Sequence, residues 1–268
     1  MITADLHAHT TVSDGTLTLE GLVAAARRAD LDAVAVTDHD RIHPDLDAPV
    51  VDRDGLTVVR GIELRVDTGS DGERVDLLGY GVGDDDALRA ECDRLQQNRI
   101  DRGRRIIENV EAEVGVDLAL EPREGLGRPH IARAIHESDA DYDYQDAFDH
   151  LIGNDGPCYV RRDVTPVDRG VDLLHDACAV VGLAHPYRYD DPEAALSLCV
   201  EYDLDAVERF YPYADAITPD DERIESLAAD HDLLLTGGTD AHGEQLGVDG
   251  LDADRWATVS DRLPEARS

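Results

Sequence analysis

The chain has 268 residues and a net charge of −35, from Asp+Glu 60 against Lys+Arg 25, and every one of those cations is arginine. This length suits one large α/β domain, with or without an insertion. The charge excludes a broad duplex-binding face, which needs many aligned cations, and apolar runs recurring along the chain exclude an acidic disordered protein.

Seven short β-branched or Leu-rich runs appear in chain order: Ile2–Leu6, Ala33–Thr37, Leu56–Ile62, Val75–Tyr80, Val180–Ala184, Ala206–Phe210 and Leu233–Gly237. Helical patterns lie between them. The first is the Ala/Leu-rich stretch Leu19–Ala29 with Thr18 as N-cap, which completes a βαβ unit. The rhythm predicts parallel strands joined by crossover helices. It breaks from Asp86 to Arg162, where a long charged helix (Ala87–Val114) and two shorter helical patterns (Ile131–His136, Tyr144–Ile152) read as a helical insertion. Gly79, Gly81 and Gly83 in GYGVGDD lack the spacing and the following acidic residue of a dinucleotide loop, and read as a strand-ending turn.

No run reaches the length of an apolar membrane span, and the first residues lack the basic-then-apolar layout of a secretion signal, so a cytoplasmic protein is expected. Cys92, Cys158, Cys178 and Cys199 show no CxxC spacing and are expected to be reduced. Acidic surface of this density fits a protein adapted to high salt, where the Debye length falls to roughly 3 Å and self-repulsion is screened.

Nearly every strand candidate ends in a potential ligand: His7 and His9, His39, Glu63, His185, then Asp240 and His242. In barrel-like α/β folds the C-terminal strand ends converge on one face, so these side chains are expected to meet. Imidazoles and carboxylates without thiolate suit Mn²⁺, Zn²⁺ or Fe. His43, His136, His150, His175 and His231 lie in helical or loop patterns and are expected to face solvent. Without lysine neither Schiff-base nor P-loop chemistry is open, and no GxSxG is present.

The motifs DLHAHTTVSDG, TDHD, GIE, LAHP and GTDAHG, in that order, resemble the PHP (polymerase and histidinol phosphatase) family of metal-dependent phosphoesterases. The resemblance implies a distorted seven-stranded β/α barrel, residues 1–85 and 163–268, interrupted by the helical insertion 86–162 as a substrate cap. It also implies two or three divalent ions, with Mn foremost and Zn or Fe as alternatives. By motif, His7, His9, Glu63 and Asp240 would hold one ion; Glu63 would bridge to a second that His185 also binds; Asp14, His39 and His242 would hold a third. The family's further histidine on the second ion falls at Asp76, in DLLGY. The catalytic set is then His7, His9, Glu63, Asp240 and His242, with either His242 or His9 delivering a proton to the leaving group. Asp38 reads equally as an orienter of His39 and as an ordinary loop aspartate.

LQQNRIDRGRR (Leu95–Arg105) is locally basic in an acidic chain. Arg99 and Arg102 share a helix face and either grip a phosphate or pair with Glu91, Asp101 and Glu108. With GRPHIARAI and CYVRRDVTP, this helix resembles the branch of the family that hydrolyses nucleoside 3′,5′-bisphosphates and trims short RNA from its 5′ end. That likeness makes Arg99, Arg102, His130, Arg128 and Arg162 candidate substrate-binding residues; His130 could equally cap its helix. The expected partner is a small nucleotide or short oligonucleotide, with no membrane and no duplex DNA, and the oligomeric state is left open. The rivals are histidinol-phosphate phosphatase and a catalytically silent metal-binding module.

Overall fold

A computed structural model describes residues 1–69 and 73–267. Contacts divide the chain into two compact units, Met1–Ala90 with Thr165–Ser268, and Glu91–Val164. The first unit is built on β1 (Ala4–Asp5), α1 (Leu19–Arg28), β2 (Ala33–Val36), β3 (Val50–Arg53), β4 (Leu56–Asp67) and β5 (Arg74–Tyr80). The chain returns to it through β6 (Thr165–Pro166), α5 (Val167–Ala177), β7 (Val180–Leu183), α6 (Pro192–Glu201), β8 (Ala206–Phe210), α7 (Asp221–His231), β9 (Leu234–Gly237) and α8 (Ala253–Ser260).

Seven strands form a nearly closed barrel-like sheet in the order β1-β2-β4-β5-β7-β8-β9, with β3 and β6 paired to β4 off that path. The ring is drawn together where the Leu6 N–H donates to the Gly237 carbonyl at 3.0 Å. Ala8 and Ala241 then bridge in parallel one step beyond. Close approach there requires glycine, because a Cβ on Gly238 would stand 2.3 Å from the His7 nitrogen. The expected strands are present, with one correction of direction: β5 runs antiparallel to both β4 and β7. Only residues 68–73 connect β4 to β5, too short a link for the crossover that a parallel pair needs.

The pleat explains the packing of the first βαβ unit. Ala33 and Ala35 point into one apolar cluster with Leu6, Val59 and Leu78, while Val34 and Val36 point the other way, to Leu22, Ala25 and Ala26 of α1. Small residues face the crowded barrel interior and β-branched ones face the helix. Thr18 caps α1 by accepting the Gly21 N–H, and Arg27 and Arg28 complement its C-terminal dipole.

The second unit has its own core. The C-terminal half of α2 (Asp86–Val114), α3 (Arg128–Glu137), the short α4 (Tyr144–Ala147) and the π-helical turn Phe148–Ile152 bury Ile106, Val110, Leu126, Ile131, Ile135 and Ile152 together. Leu126 lies so close to α2 that a Cβ on Gly103 would meet its Cδ2 at 2.5 Å. Among the described residues no helix is long and apolar enough to cross a membrane.

Leu22 is fully buried between α1 and the sheet. Leu22→Ala is therefore expected to cost about 2–5 kcal/mol of stability, read from the denaturant midpoint; a loss below about 1 kcal/mol would contradict this packing.

Candidate metal centre

The candidate histidines and Asp240 are set where a strand ends or just beyond, whereas Glu63 and Asp76 lie inside β4 and β5 and Asp14 in the loop after β1. His7 and His9 leave β1 on alternate positions of an extended segment that is tied to the Asp240 loop: His9 N–H donates to the Ala241 carbonyl and Ala241 N–H to the His7 carbonyl. His39 follows β2 and bridges in parallel to Glu63 on β4. His185 follows β7, and Asp240 and His242 follow β9. Two of these residues hold backbone conformations that L side chains rarely adopt, His185 at φ 27° and Asp240 at φ 54°. Such strain persists only where surrounding structure enforces it.

Four imidazoles converge on the buried Glu63. His185 Nε2 lies 3.1 Å and His7 Nε2 3.5 Å from its Oε1; His39 Nδ1 lies 2.5 Å and His9 Nε2 3.4 Å from its Oε2. Asp240 Oδ1 stands 3.0 Å from His9 Nε2 and 3.5 Å from His7 Nε2. On the open side, Asp14 lies 3.3 Å from His242 Nε2 and 3.6 Å from His39 Nε2. Three sets have ligand atoms close enough for one ion: His9, Asp14, His39 and His242; His7, His9 and Asp240; and His7, Glu63 and His185. Two donors bound to one ion at roughly 2.1 Å stand about 3.0–3.4 Å apart, and half of these spacings fall in that range, with most of the others within about 0.2 Å of it. The buried His7 Nε2 has no hydrogen-bond partner among the described residues, an arrangement that water-free burial would penalise without a cation. The donor set and its geometry thus fit divalent ions.

The electrostatics carry the same imprint. Burial opposes ionisation of Glu63, yet His39 and His7 hold its carboxyl well below the usual range. Burial likewise works against charging His39, but Glu63 and Asp14 push it up to about 9. Desolvation opposes ionisation of Asp240 and, less completely, of the more exposed Asp14, but His9 and His242 respectively hold them low. His9 is lowered, chiefly by burial.

Several residues that hold this cluster in place went unmarked in the sequence. Glu208, fully buried on β8, accepts His7 Nδ1–H at 3.0 Å and the His185 backbone N–H at 2.8 Å. It fixes the tautomer that turns His7 Nε2 inward. The signal was present: Ala206–Phe210 was the strand run with no ligand assigned. Asp5 accepts backbone N–H groups from Thr239, Gly247 and His7, lashing β1 to the GTDAHG loop. Tyr211 and Arg188 both donate to Asp240 Oδ2, at 2.9 and 3.0 Å, leaving Oδ1 to the histidines. The Asp38 question is resolved in favour of a loop clamp, since its carboxylate accepts from Thr10 N–H, Thr10 Oγ1 and Ser13 Oγ.

Two expectations need correction. Asp76 joins none of the three sets, because Arg65, its cross-strand neighbour, donates to both of its oxygens at 2.7 and 2.5 Å. His43, expected in solvent, is 3 % exposed, and its Nδ1 accepts the Asp45 N–H.

In the second unit, Arg102 Nε–H donates to the Val160 carbonyl at 2.6 Å, and the guanidinium groups of Arg102 and Arg128 lie 5.8 and 5.5 Å from the centre of the Tyr159 ring. Burial lowers Arg102 to about 10, helped by the charges of Arg128, Arg162 and Arg99 around it. Glu91 pairs with Arg94, and Asp101 with Arg104. The His130 Nδ1 accepts the Gly127 N–H, so this ring does cap α3.

Comparison with known proteins places this geometry in a family. The PHP domain matches residues 5–155. A phosphoribosyl 1,2-cyclic phosphate 1,2-diphosphodiesterase of Eggerthella lenta is 32% identical over 252 residues, 90% of this chain and 94% of that one. A 3′,5′-nucleoside bisphosphate phosphatase of Chromobacterium violaceum is 28% identical over 255 residues, 90% of this chain and 88% of the relative. A crystal structure from Bifidobacterium adolescentis shares the fold at a TM-score of 0.75 with 24% identity, covering 98% of this chain and 97% of its own.

If Glu208 orients His7, Glu208→Ala should weaken Mn²⁺ binding about 10- to 100-fold in a calorimetric titration while the circular dichroism is retained. Unchanged affinity would remove Glu208 from this role.

Proposed function

The chain belongs to the PHP domain family and is a hydrolase of phosphate esters, and on that footing we propose that it removes a terminal phosphate from a nucleotide, with a nucleoside 3′,5′-bisphosphate as the best-matched substrate. The observation that carries the reading is the pairing of two chemistries within one acidic chain. One is a cluster of imidazoles and carboxylates of the kind that takes divalent ions. The other is a knot of arginines about Tyr159. Guanidinium groups match phosphate oxygens bidentately, and an aromatic ring offers a stacking face for a base. A chain of net charge −35 has reason to concentrate cations only where an anion must be held.

His7, His9, Glu63, Asp240, Asp14, His39, His242 and His185 are the residues that would hold the metal. Bound divalent ions lower the pKa of water, neutralise phosphoryl oxygens and stabilise a leaving alkoxide. The side chains supply the rest. Tyr211 and Arg188 aim Asp240, which His9 and His7 keep ionised, and Glu208 holds the proton on His7 Nδ1. Of the two histidines considered for delivering a proton, His9 is 1 % exposed whereas the His242 side chain is 42 % exposed, which favours His242 in that part when it is not holding an ion. Arg99, Arg102, Arg128 and Arg162 would bind the substrate's remaining phosphate, which gives residues 86–162 the part of a substrate-binding insertion. The donor set accommodates Mn²⁺, Zn²⁺ or Fe, and the family resemblance puts Mn²⁺ first among them. We place the protein in a reducing, high-salt cytoplasm: none of the four cysteines forms a disulfide, and the acidic surface calls for screening.

Phosphate release measured in molar KCl with Mn²⁺ should be fastest on 3′-phosphoadenosine 5′-phosphate among bisphosphates, monophosphates, RNA pentamers and histidinol phosphate; faster release from histidinol phosphate would overturn the assignment. His9→Ala and Asp240→Ala should each abolish turnover with the fold intact by circular dichroism, and full activity in either would exclude this cluster from catalysis. Arg99→Ala should raise KM for nucleotides about 10- to 100-fold, the loss of one charged hydrogen bond, with little change in kcat. An unchanged KM would return Arg99 to an ordinary helix face.

A further inference from the structure

The three sets of potential ligands overlap, and the overlap limits how many can be filled at once. His9 belongs to the first and second sets, and His7 to the second and third. A neutral imidazole has one nitrogen lone pair, the other nitrogen carrying hydrogen. His7 has already committed Nδ1–H to Glu208, so Nε2 is its single donor.

Counting lone pairs therefore leaves one set short. The first set keeps Asp14, His39 and His242 even when His9 serves elsewhere. If His7 and His9 then join Asp240, the third set is reduced to Glu63 and His185. Giving His7 to the third set strips the second to His9 and Asp240 in the same way. The next carboxylate able to complete the third set is Asp76, whose Oδ2 lies 3.8 Å from His185 Nε2. Asp76 is 1 % exposed, and both its oxygens accept charge-assisted hydrogen bonds from Arg65. The pair faces across a regular antiparallel register, Arg65 of β4 opposite Asp76 of β5, so the backbone itself imposes the contact. The Tyr189 hydroxyl, in the segment that follows β7, receives the Asp76 backbone N–H and pins β5 from that side. A guanidinium here gives a buried carboxylate the positive charge that an ion would otherwise supply, and it places a fixed cation against any ion approaching Glu63 and His185.

We propose that Arg65 takes the place of a third ion: by holding both oxygens of Asp76, its guanidinium sets the complement at two divalent ions per chain and leaves His185 and Glu63 as partners of the ion that His7 serves. This rests on the reading of the cluster as a metal centre. It makes Arg65 a positioning residue that determines metal number rather than a group that reacts.

The test is metal content, by elemental analysis of protein dialysed against Mn²⁺ in molar KCl, together with calorimetric stoichiometry. The intact chain should retain about two ions, and the double variant Arg65→Ser with Asp76→His about three, since a serine and a neutral imidazole restore an open third position. Three ions in the unaltered protein would overturn the proposal, as would a double variant that folds and still holds two. No bound ion in the unaltered protein would instead defeat the metal reading itself. Should the double variant fail to fold, the count in the unaltered protein still decides.

Discussion

One carboxylate in contact with four imidazoles organises the barrel's functional end. Glu63 is buried, ionised against its desolvation cost, and reached by histidines that leave β1, β2 and β7. A buried charge of this kind is tolerable only if it is compensated. The compensation here comes from residues as far apart in sequence as His7 and His185, so the site exists only when the sheet has closed. Closure, in turn, is secured by Asp5 and by the close approach of Gly238 to His7, on the same loop that presents Asp240. The site thus depends on the fold, and the left-handed backbone at Asp240 and His185 marks where the scaffold bends to serve the cluster.

A second layer determines what the cluster can bind. Glu208 sets the tautomer of His7, Tyr211 and Arg188 orient Asp240, and Asp38 clamps the Thr10 turn that leads to Asp14. These contacts do not touch substrate chemistry directly, yet each selects one orientation of a ligand atom out of several. Metal affinity depends on such selection, because an imidazole free to rotate loses its lone pair from the centre for part of the time.

Much of this was legible in the chain. Strand-ending histidines and acids were visible because β-runs, breakers and ligands recur in a fixed rhythm, and a barrel brings those ends together whatever the details of twist. The direction of β5 was less visible, since an apolar run reads alike in either direction; only the short 68–73 link betrays the hairpin. Glu208 was marked only indirectly, by a strand run that ends in no ligand, and Arg65 not at all. An arginine inside a strand has no signature of its own, and its role depends on which residue the register sets opposite, as with Arg65 and Asp76. His43 misled because a loop histidine next to charged neighbours reads as solvated, whereas the fold covers it. The arginines of the second unit stood out by contrast alone, against a background of acid.

The central claim, that Glu63 and the histidines around it form a divalent metal centre, is tested most directly by anomalous diffraction at the manganese edge from crystals grown with Mn²⁺. The account predicts anomalous peaks within coordination distance of His7, His9 and Asp240 and of Asp14, His39 and His242. Crystals that show no peak there, or that show Mn²⁺ bound only at surface carboxylates, would contradict it.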